Sequence, residues 1–314
     1  MKSYFIFAFA FAIAANTFAE QVLYCAGTVR YPSGETAAGV RVEYYPGHHD
    51  GAGYYAEVKT DANGRYEIIG QKDTRIFMGI IVKTNCIMAR DPEKNLAAVQ
   101  DFYMTITNVD LVLQPAITLS GSVKDTDGRP IVLAEVDLRF GANQTSELLE
   151  AQPIRVNELG QFSMPALPQG REYEVLEIAA KGYGSGRAGI AAKDTRTTRY
   201  EFPPFVLKRA DRKIAGHVID FDGKPLAGAE VYFMGRGQPM NSRTNWGHSP
   251  WCNTNTDSEG RFQFDNVCDA PLRVYANYRD PLDRSLYMNL NGGGGMEAQV
   301  GDTNIVIRFP APNK

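Results

Sequence analysis

The sequence predicts an all-β protein, built as three tandem antiparallel β-sandwich domains that follow a cleaved signal peptide. Three observations lead to this prediction. The 314 residues include 30 Gly and 17 Pro, as in a chain with many turns, and 16 Tyr and 16 Phe, which favour strands. Short segments alternate between apolar and polar residues, as half-buried strands do. A pattern with a period of about 95 residues occurs three times along the chain.

Residues 1–19 have the features of a secretory signal peptide. Lys2 is the only charged residue in this segment, Tyr4 to Ala15 is apolar, and Thr17 to Ala19 supplies small residues for cleavage. The apolar stretch is too short to span a bilayer, and no later stretch is long enough. We therefore expect a mature chain without a membrane span that is secreted, periplasmic or held at the cell surface.

Three units follow the signal peptide, and we place them at residues 20–116, 117–210 and 211–314. Each unit opens with a Gly-x-Val segment: Gly27-Thr-Val29, Gly121-Ser-Val123 and Gly216-His-Val218. A second motif comes later in each unit: Thr60-Asp61-Ala-Asn-Gly64-Arg-Tyr66, Asn157-Glu-Leu-Gly160-Gln-Phe162 and Thr256-Asp257-Ser-Glu-Gly260-Arg-Phe262. The repeat is the strongest signal in the sequence.

The second motif predicts a hairpin turn that leads into a strand. Asp257 and Gly260 are turn residues, and Arg261 to Phe264 alternates between polar and apolar side chains. Other alternating segments give six or seven short strands per unit, enough for a small sandwich with its own core. The joins at 113–118 and 207–213 are short, so we expect a semi-rigid rod of three sandwiches.

These motifs resemble the carboxypeptidase regulatory-like domain, a transthyretin-like (prealbumin-like) β-sandwich. The resemblance covers all three units and is specific in the first and third. The second unit departs from the pattern, because Leu133 stands where glycine is expected and Val156-Asn157 replaces Thr-Asp. The resemblance implies a non-catalytic module of envelope and secreted proteins, with no catalytic residue to carry over.

Catalytic and metal-binding motifs are missing from the sequence. A zinc hydrolase needs closely spaced histidines and a carboxylate, but none of the four histidines begins a His-x-x-Glu motif. His48-His49-Asp50 is interpreted as a solvated loop. The net charge of −3 provides no basic surface for nucleic acid. We therefore predict no enzyme activity, no metal, no cofactor and no nucleic-acid partner.

Two further motifs imitate binding sites. Gly184-Ser-Gly186-Arg-Ala-Gly189 has the letters of a dinucleotide fingerprint, but no helical pattern follows it. Asn255 to Gly260 imitates the start of a calcium loop, but Asn266 stands where a bidentate Glu is needed. We predict a surface loop for the first motif and a hairpin turn for the second.

Two long insertions carry aromatic residues that could hold a ligand. The first contains Tyr54 and Tyr55, and the second contains Asn245, Trp246, His248 and Trp251, with both tryptophans of the chain. Aromatic faces on loops are suited to stacking against sugar rings. The alternative is that these side chains fold back and cap the sandwiches.

The four cysteines are expected to pair, because an even number in an exported chain indicates disulfides. Division into units selects Cys25–Cys86 and Cys252–Cys268 among the three possible pairings.

Two function classes remain open at this point. The leading one is a secreted or envelope-associated structural or interaction protein that docks onto an envelope or extracellular protein. The alternative is a carbohydrate-binding protein that holds a polysaccharide with the aromatic loops of units 1 and 3.

Overall fold

The computed structural model describes residues 21–45, 56–71, 84–103, 106–142, 145–150, 152–239, 252–279, 287–289 and 295–310. Within these ranges the chain is all-β, as predicted, and forms 25 strands and one 3₁₀ helix, Ala192–Thr195. The strands divide into six sheets, two for each sequence unit. The predicted boundaries fall between strands or at their ends. The signal peptide lies outside the described residues.

Unit 1 pairs a small sheet with a larger one. Its strands are β1 Gln21–Arg30, β2 Arg41–Tyr45, β3 Ala56–Lys59, β4 Arg65–Gln71, β5 Thr84–Asp91, β6 Leu96–Tyr103, β7 Leu111–Val112 and β8 Gln114–Pro115. The small sheet has the order β4-β1-β7, and the large one β3-β2-β5-β6-β8.

Unit 2 repeats this arrangement. Its strands are β9 Ile117–Asp125, β10 Glu135–Ala142, β11 Thr145–Leu148, β12 Ile154–Arg155, β13 Gln161–Leu167, β14 Tyr173–Ala179, β15 Gly186–Ile190, β16 Arg199–Glu201 and β17 Phe205–Leu207. One sheet has the order β13-β9-β16, with β17 also on β9, and the other has β11-β10-β14-β15, with β12 on β10.

Unit 3 has the same two sheets again. Its strands are β18 Ala210–Ile219, β19 Glu230–Met234, β20 Asn253–Asn255, β21 Arg261–Cys268, β22 Leu272–Arg279, β23 Tyr287–Asn289, β24 Met296–Ala298 and β25 Ile305–Arg308. The sheets are β21-β18-β25 and β20-β19-β22-β23, with β24 on β22.

A closing strand of each unit runs parallel to the opening strand, whereas the other strand pairs of the described sheets are antiparallel, as predicted. β7 pairs with β1, β16 and β17 pair with β9, and β25 pairs with β18, all in parallel. The first repeat glycine makes the close approach possible in units 1 and 3. A Cβ at Gly27 would lie 1.9 Å from the Val109 carbonyl oxygen, and one at Gly216 would lie 2.1 Å from that of Ile305.

The second repeat motif forms the same turn in all three units. A side-chain oxygen of Asp61, Asn157 or Asp257 accepts hydrogen bonds of 2.8–2.9 Å from the backbone N–H groups two and four residues later. An asparagine oxygen accepts as well as an aspartate oxygen, which explains how unit 2 keeps the turn despite its changed sequence.

The other departure of unit 2 changes the local backbone. Gly39 and Gly228 have φ of 72° and 75°, in the left-handed region that suits glycine. Leu133, at the corresponding place, does not adopt positive φ, and its side chain is exposed. Unit 2 therefore builds this connection with a different backbone rather than straining a leucine.

Candidate functional site

The aromatic loop residues predicted to bind a ligand lie outside the described part of the chain. These residues are Tyr54, Tyr55, Asn245, Trp246, His248 and Trp251. The structure does describe Pro239 and Cys252 on either side of the second loop. Carbohydrate binding by these loops therefore stays a prediction.

The hydrophobic core of unit 2 includes three side chains of unit 1. Strands β2 and β5 are buried on both faces, so alternate side chains point into different cores. Tyr45, Cys86 and Met88 pack among the buried residues of unit 2, whereas their neighbours Tyr44 and Ile87 pack inside unit 1. The Tyr45 ring meets Phe140 edge-on at 4.8 Å between centroids. The large sheet of unit 1 thus forms the middle layer between the small sheet of unit 1 and the core of unit 2.

A buried ion network lies in the same interface. The Glu43 side chain is fully buried, forms an ion pair with Arg41 at 2.6 Å and accepts a hydrogen bond from the buried Arg90 at 3.1 Å. Glu150 of unit 2 contacts the same two arginines at 2.7 Å and 3.0 Å. Burial raises the pKa of the Glu43 carboxyl, and the charges of Arg90 and Arg41 oppose that shift. The network joins two carboxylates from different units through shared guanidinium groups.

Other polar contacts close the rest of this interface. Arg171 of unit 2 forms an ion pair with Asp101 of unit 1 at 2.8 Å. Asn95, on the turn between β5 and β6, donates to the Ala116 carbonyl oxygen at 3.1 Å and accepts from the Ala166 N–H at 2.9 Å. These contacts fix the orientation of unit 2 against unit 1.

The joint between units 2 and 3 is built around Gln238, which is 1% exposed. Its side-chain amide donates to the carbonyl oxygens of Cys268 and Ala270 and accepts from the Cys268 N–H, all at 2.8–2.9 Å. Its own carbonyl oxygen accepts from the Ser185 N–H and hydroxyl of unit 2, at 3.2 Å and 2.8 Å. The side-chain bonds of Gln238 therefore stay within unit 3 and hold the residue in place, and its backbone carbonyl oxygen makes the contact with unit 2.

Gly184 belongs to this joint, which explains the sequence motif that imitates a dinucleotide fingerprint. A Cβ at Gly184 would lie 2.0 Å from the Gly237 carbonyl oxygen and 2.8 Å from the Cys268 sulfur. The motif continues into strand β15 rather than into a helix. Its first glycine lets units 2 and 3 approach, so the predicted surface loop is in fact a unit junction.

A cavity of about 1440 Å³ lies beside this joint, between units 2 and 3. Unit 2 supplies Arg187, Phe205 and Val206, together with Ser185 and Gly186, to its wall. Unit 3 supplies most of the remaining wall, including Met234, Arg236, Arg273, Tyr275 and Glu297. The lining combines apolar side chains with charged groups from both units, as ligand pockets at domain interfaces do.

Two charges of the lining have no counter-ion in the part of the chain that the structure describes. Arg273 is paired with Glu297 at 2.7 Å, and the Asp302 carboxylate accepts from the Gln299 N–H at 2.8 Å. Arg187 and Arg236 are exposed and form no ion pair with any residue that the structure describes. The cavity therefore presents two available guanidinium groups, one from each unit.

Comparison with known proteins assigns no family: no family model and no curated protein matches the chain. The Bacillus anthracis TIE protein is 11% identical with a TM-score of 0.26 over 92% of this chain, which spans 50% of that protein. The Streptococcal ancillary pilin is 9% identical with a TM-score of 0.32, covering 93% of this chain and 100% of the pilin. BcpA, the major pilin subunit of Bacillus cereus, is 10% identical with a TM-score of 0.23, covering 93% and 100%. Likenesses this distant carry no argument about function, and the resemblance to the carboxypeptidase regulatory-like domain stays a prediction.

The expected disulfides are absent, since all four cysteines are buried thiols in the structure. Cys25 packs in the core of unit 1, whereas Cys86 faces the core of unit 2 from the opposite side of its sheet. The Cys25–Cys86 pairing is therefore incompatible with this packing. In unit 3, the Cys252 thiol donates to the Pro239 carbonyl oxygen at 2.8 Å, and Cys268 lies at the joint with unit 2. The Cys252–Cys268 pairing is not formed either.

The described ranges hold neither a metal-binding cluster nor a membrane-spanning helix. They contain no cluster of three or more His, Cys, Asp and Glu side chains arranged to hold a metal ion. They also contain no helix with the length and apolar character that crossing a bilayer requires.

Proposed function

We propose that this chain is an exported, non-catalytic structural and interaction protein that holds its binding surfaces at fixed positions. The observation that carries the proposal is the apolar packing of unit 1 on unit 2, in which Tyr45, Cys86 and Met88 of one unit complete the core of the next. Units joined by a flexible linker have no need of such packing, and domains that move relative to each other have smaller, more polar interfaces. A fixed spacing between units is useful for a scaffold or a docking protein.

The second joint supports the same proposal. Ser185 of unit 2 donates two hydrogen bonds to the Gln238 carbonyl oxygen of unit 3, and Gly184 lies closely packed against the Gly237 carbonyl oxygen. We place the protein outside the cytoplasm, at the cell surface or in an envelope compartment, because of the predicted signal peptide at 1–19. Its partner would be an envelope or extracellular protein.

Spin labels on pairs of units test whether the spacing is fixed. Lys59 of unit 1, Asp127 of unit 2 and Lys224 of unit 3 are exposed and would each be replaced by cysteine for labelling in pairs. The native cysteines are buried and should stay unlabelled. We expect a single narrow distance distribution for both the 59–127 and the 127–224 pair, measured by pulsed electron paramagnetic resonance.

Gly184→Val tests the joint between units 2 and 3 by itself. The added side chain cannot fit against the Gly237 carbonyl oxygen, so the 127–224 distribution should broaden while the 59–127 distribution stays narrow. Broad distributions for both pairs in the unmodified protein would contradict the proposed role as a fixed scaffold.

A further inference from the structure

We infer that the cavity between units 2 and 3 is a docking cleft for an extended acidic segment of a partner protein. The inference builds on the proposed function, because it names the chemistry of the partner that the scaffold would hold. Nothing in the established repeat pattern marks this cleft, since its wall comes from two different units.

Charge is the first argument for an acidic occupant. Arg187 and Arg236 come from different units, face the same cavity and have no carboxylate partner among the described residues. Glu297 is paired with Arg273, whereas Asp302 accepts only from a backbone N–H and keeps its charge, so the lining holds three arginines against two carboxylates and is net positive by one. A guanidinium group binds a carboxylate through two parallel hydrogen bonds, so two such groups select a ligand with at least two carboxylates.

Strand edges are the second argument, because they favour an extended polypeptide. β15, which contributes Gly186 and Arg187 to the wall, pairs with β14 alone among the described strands. β24, which contributes Glu297 and Ala298, pairs with β22 alone. Edge strands carry backbone donors and acceptors without partners, and an extended peptide can satisfy them by adding a strand.

The apolar part of the lining also suits a peptide better than a sugar. Val206 and Met234 are 52% and 44% exposed, and such aliphatic side chains pack well against apolar side chains of a peptide. A sugar ring would need a flat aromatic face. The Tyr275 ring stacks on Tyr232 at 5.1 Å with an interplanar angle of 7°, and Gly295 lies against the same ring. Tyr275 is therefore already covered and offers no open stacking surface.

A fluorescein-labelled decapeptide of alternating Glu and Val tests the inference by fluorescence anisotropy with the purified protein. We expect saturable binding that weakens as salt is added, because the attraction depends on exposed charges. Arg187→Glu and Arg236→Glu should each weaken binding by about tenfold, as expected when a charged hydrogen bond is replaced by a repulsive contact. Both side chains are exposed, so the variants should fold, and their thermal unfolding would be checked.

Arg199→Glu is the matched control, since Arg199 is an exposed arginine of unit 2 that does not line the cavity. It should leave the affinity unchanged. Hydrogen exchange should also slow at the amides of β15 when the peptide is bound, because those amides gain partners. A decapeptide of alternating Lys and Val should not bind.

Four outcomes would overturn the inference. The first is that the acidic peptide does not bind, and the second is that Arg199→Glu lowers the peptide affinity as much as the cleft variants do. The third is that an oligogalacturonate, rather than the peptide, binds at the same two arginines. The fourth is that the cleft variants change only the self-association of the protein. The last two would identify the occupant as an acidic glycan or a second copy of the chain. Narrow spin-label distances together with absent peptide binding would contradict this inference while leaving the proposed scaffold role intact.

Discussion

Arg90 shows how a single residue can link two units. Its guanidinium contacts Glu43 from its own sheet and Glu150 from unit 2, in a position that is 2% exposed. A buried charge is tolerated only when it is paired, because moving an unpaired charge out of water costs several kcal/mol. Arg90 therefore links the packing of its own sheet to the packing of unit 2 against it.

Arg90→Met should destabilise the protein by about 3–5 kcal/mol, because it removes one of the two arginines that compensate the buried Glu43 carboxylate. The double variant Glu43→Met/Arg90→Met should recover much of that loss, since it removes the buried charges on both sides. Arg129→Ala provides the control, because its ion pair with Asp127 is largely exposed and should contribute less than about 1 kcal/mol. Urea unfolding measures all three. Equal effects of Arg90→Met and Arg129→Ala would contradict the importance of the network.

The cysteines give a second prediction about single residues. Burial raises the pKa of the Cys25 thiol to about 12 and that of Cys268 to about 11. Little thiolate is then present at pH 8, so both should react slowly with iodoacetamide in the folded protein and rapidly in denaturant. Intact and peptide mass spectrometry follows the alkylation. A Cys25–Cys86 or Cys252–Cys268 disulfide in the purified protein would support the sequence prediction instead of the structure.

The tryptophans test carbohydrate binding directly, because Trp246 and Trp251 supply all the indole fluorescence of the chain. If the loop binds a glycan, titration with soluble polysaccharides should quench or shift the emission, and Trp251→Ala should abolish the response with stability retained. If the loop caps the sandwich, emission should be blue-shifted without ligand, and Trp251→Ala should cost about 3–5 kcal/mol. Saturable quenching would favour the carbohydrate function over the scaffold.

Among the structural elements, the turn after β20 shows how the repeat motif works. The Thr256 hydroxyl donates to the Leu226 carbonyl oxygen at 2.6 Å and accepts from the Ala229 N–H at 2.9 Å. In unit 1 the Thr60 hydroxyl makes the corresponding two bonds: it donates to the Ala37 carbonyl oxygen and accepts from the Val40 N–H. A buried hydroxyl thus ties the hairpin turn to the chain entering the second strand, and this explains why threonine precedes aspartate in both motifs.

Thr256→Val should destabilise unit 3 by about 1–3 kcal/mol, because it keeps the shape of the side chain and leaves a buried N–H and C=O without a partner. Unit 2 supplies a natural comparison. Val156 occupies the corresponding position, and its N–H bonds to the Ala134 carbonyl oxygen as the Thr256 N–H bonds to that of Ala229. Val156→Thr therefore adds only the hydroxyl, and we expect it to raise the stability of unit 2 by less than Thr256→Val lowers that of unit 3, because unit 2 builds this connection with a different backbone. Thermal unfolding of both variants checks this. An unchanged melting temperature for Thr256→Val would show that the two hydroxyl bonds make no net contribution to the stability of unit 3.

At the scale of the whole molecule, the sequence predicted the fold class well and the contacts between units poorly. Alternating segments and the repeated turns depend on local spacing, so they could be recognised without coordinates. The packing of unit 1 on unit 2 could not, because Glu43, Tyr45, Met88 and Arg90 also fit an ordinary strand of one sandwich. One signal was present: β5 carries apolar or buried side chains at successive positions, which is typical of a strand covered on both faces.

The candidate cleft was missed for a related reason. Its two arginines lie 49 positions apart in different units, and only Arg187 belongs to a motif, the one that imitates a dinucleotide fingerprint. The glycine that makes the joint possible was noticed, but it was interpreted as part of a surface loop rather than as a close approach between units. Tertiary contacts decided the role of Gly184, and a single sequence does not contain them.

Fragments of the chain test whether the three units fold independently or whether units 1 and 2 depend on the packing between them. Residues 211–314 contain a complete hydrophobic core of their own, so this fragment should fold with a cooperative thermal transition.

Residues 20–116 alone should behave differently, because Tyr45 and Met88 would be exposed and Arg90 would lose Glu150. We expect this fragment to unfold at a lower temperature or to aggregate, whereas residues 20–210 should unfold in one transition. Calorimetry and circular dichroism of the three fragments measure these differences. A stable, cooperative fragment 20–116, with two separate transitions in 20–210, would show that the core packing seen between units 1 and 2 adds little to the stability of either.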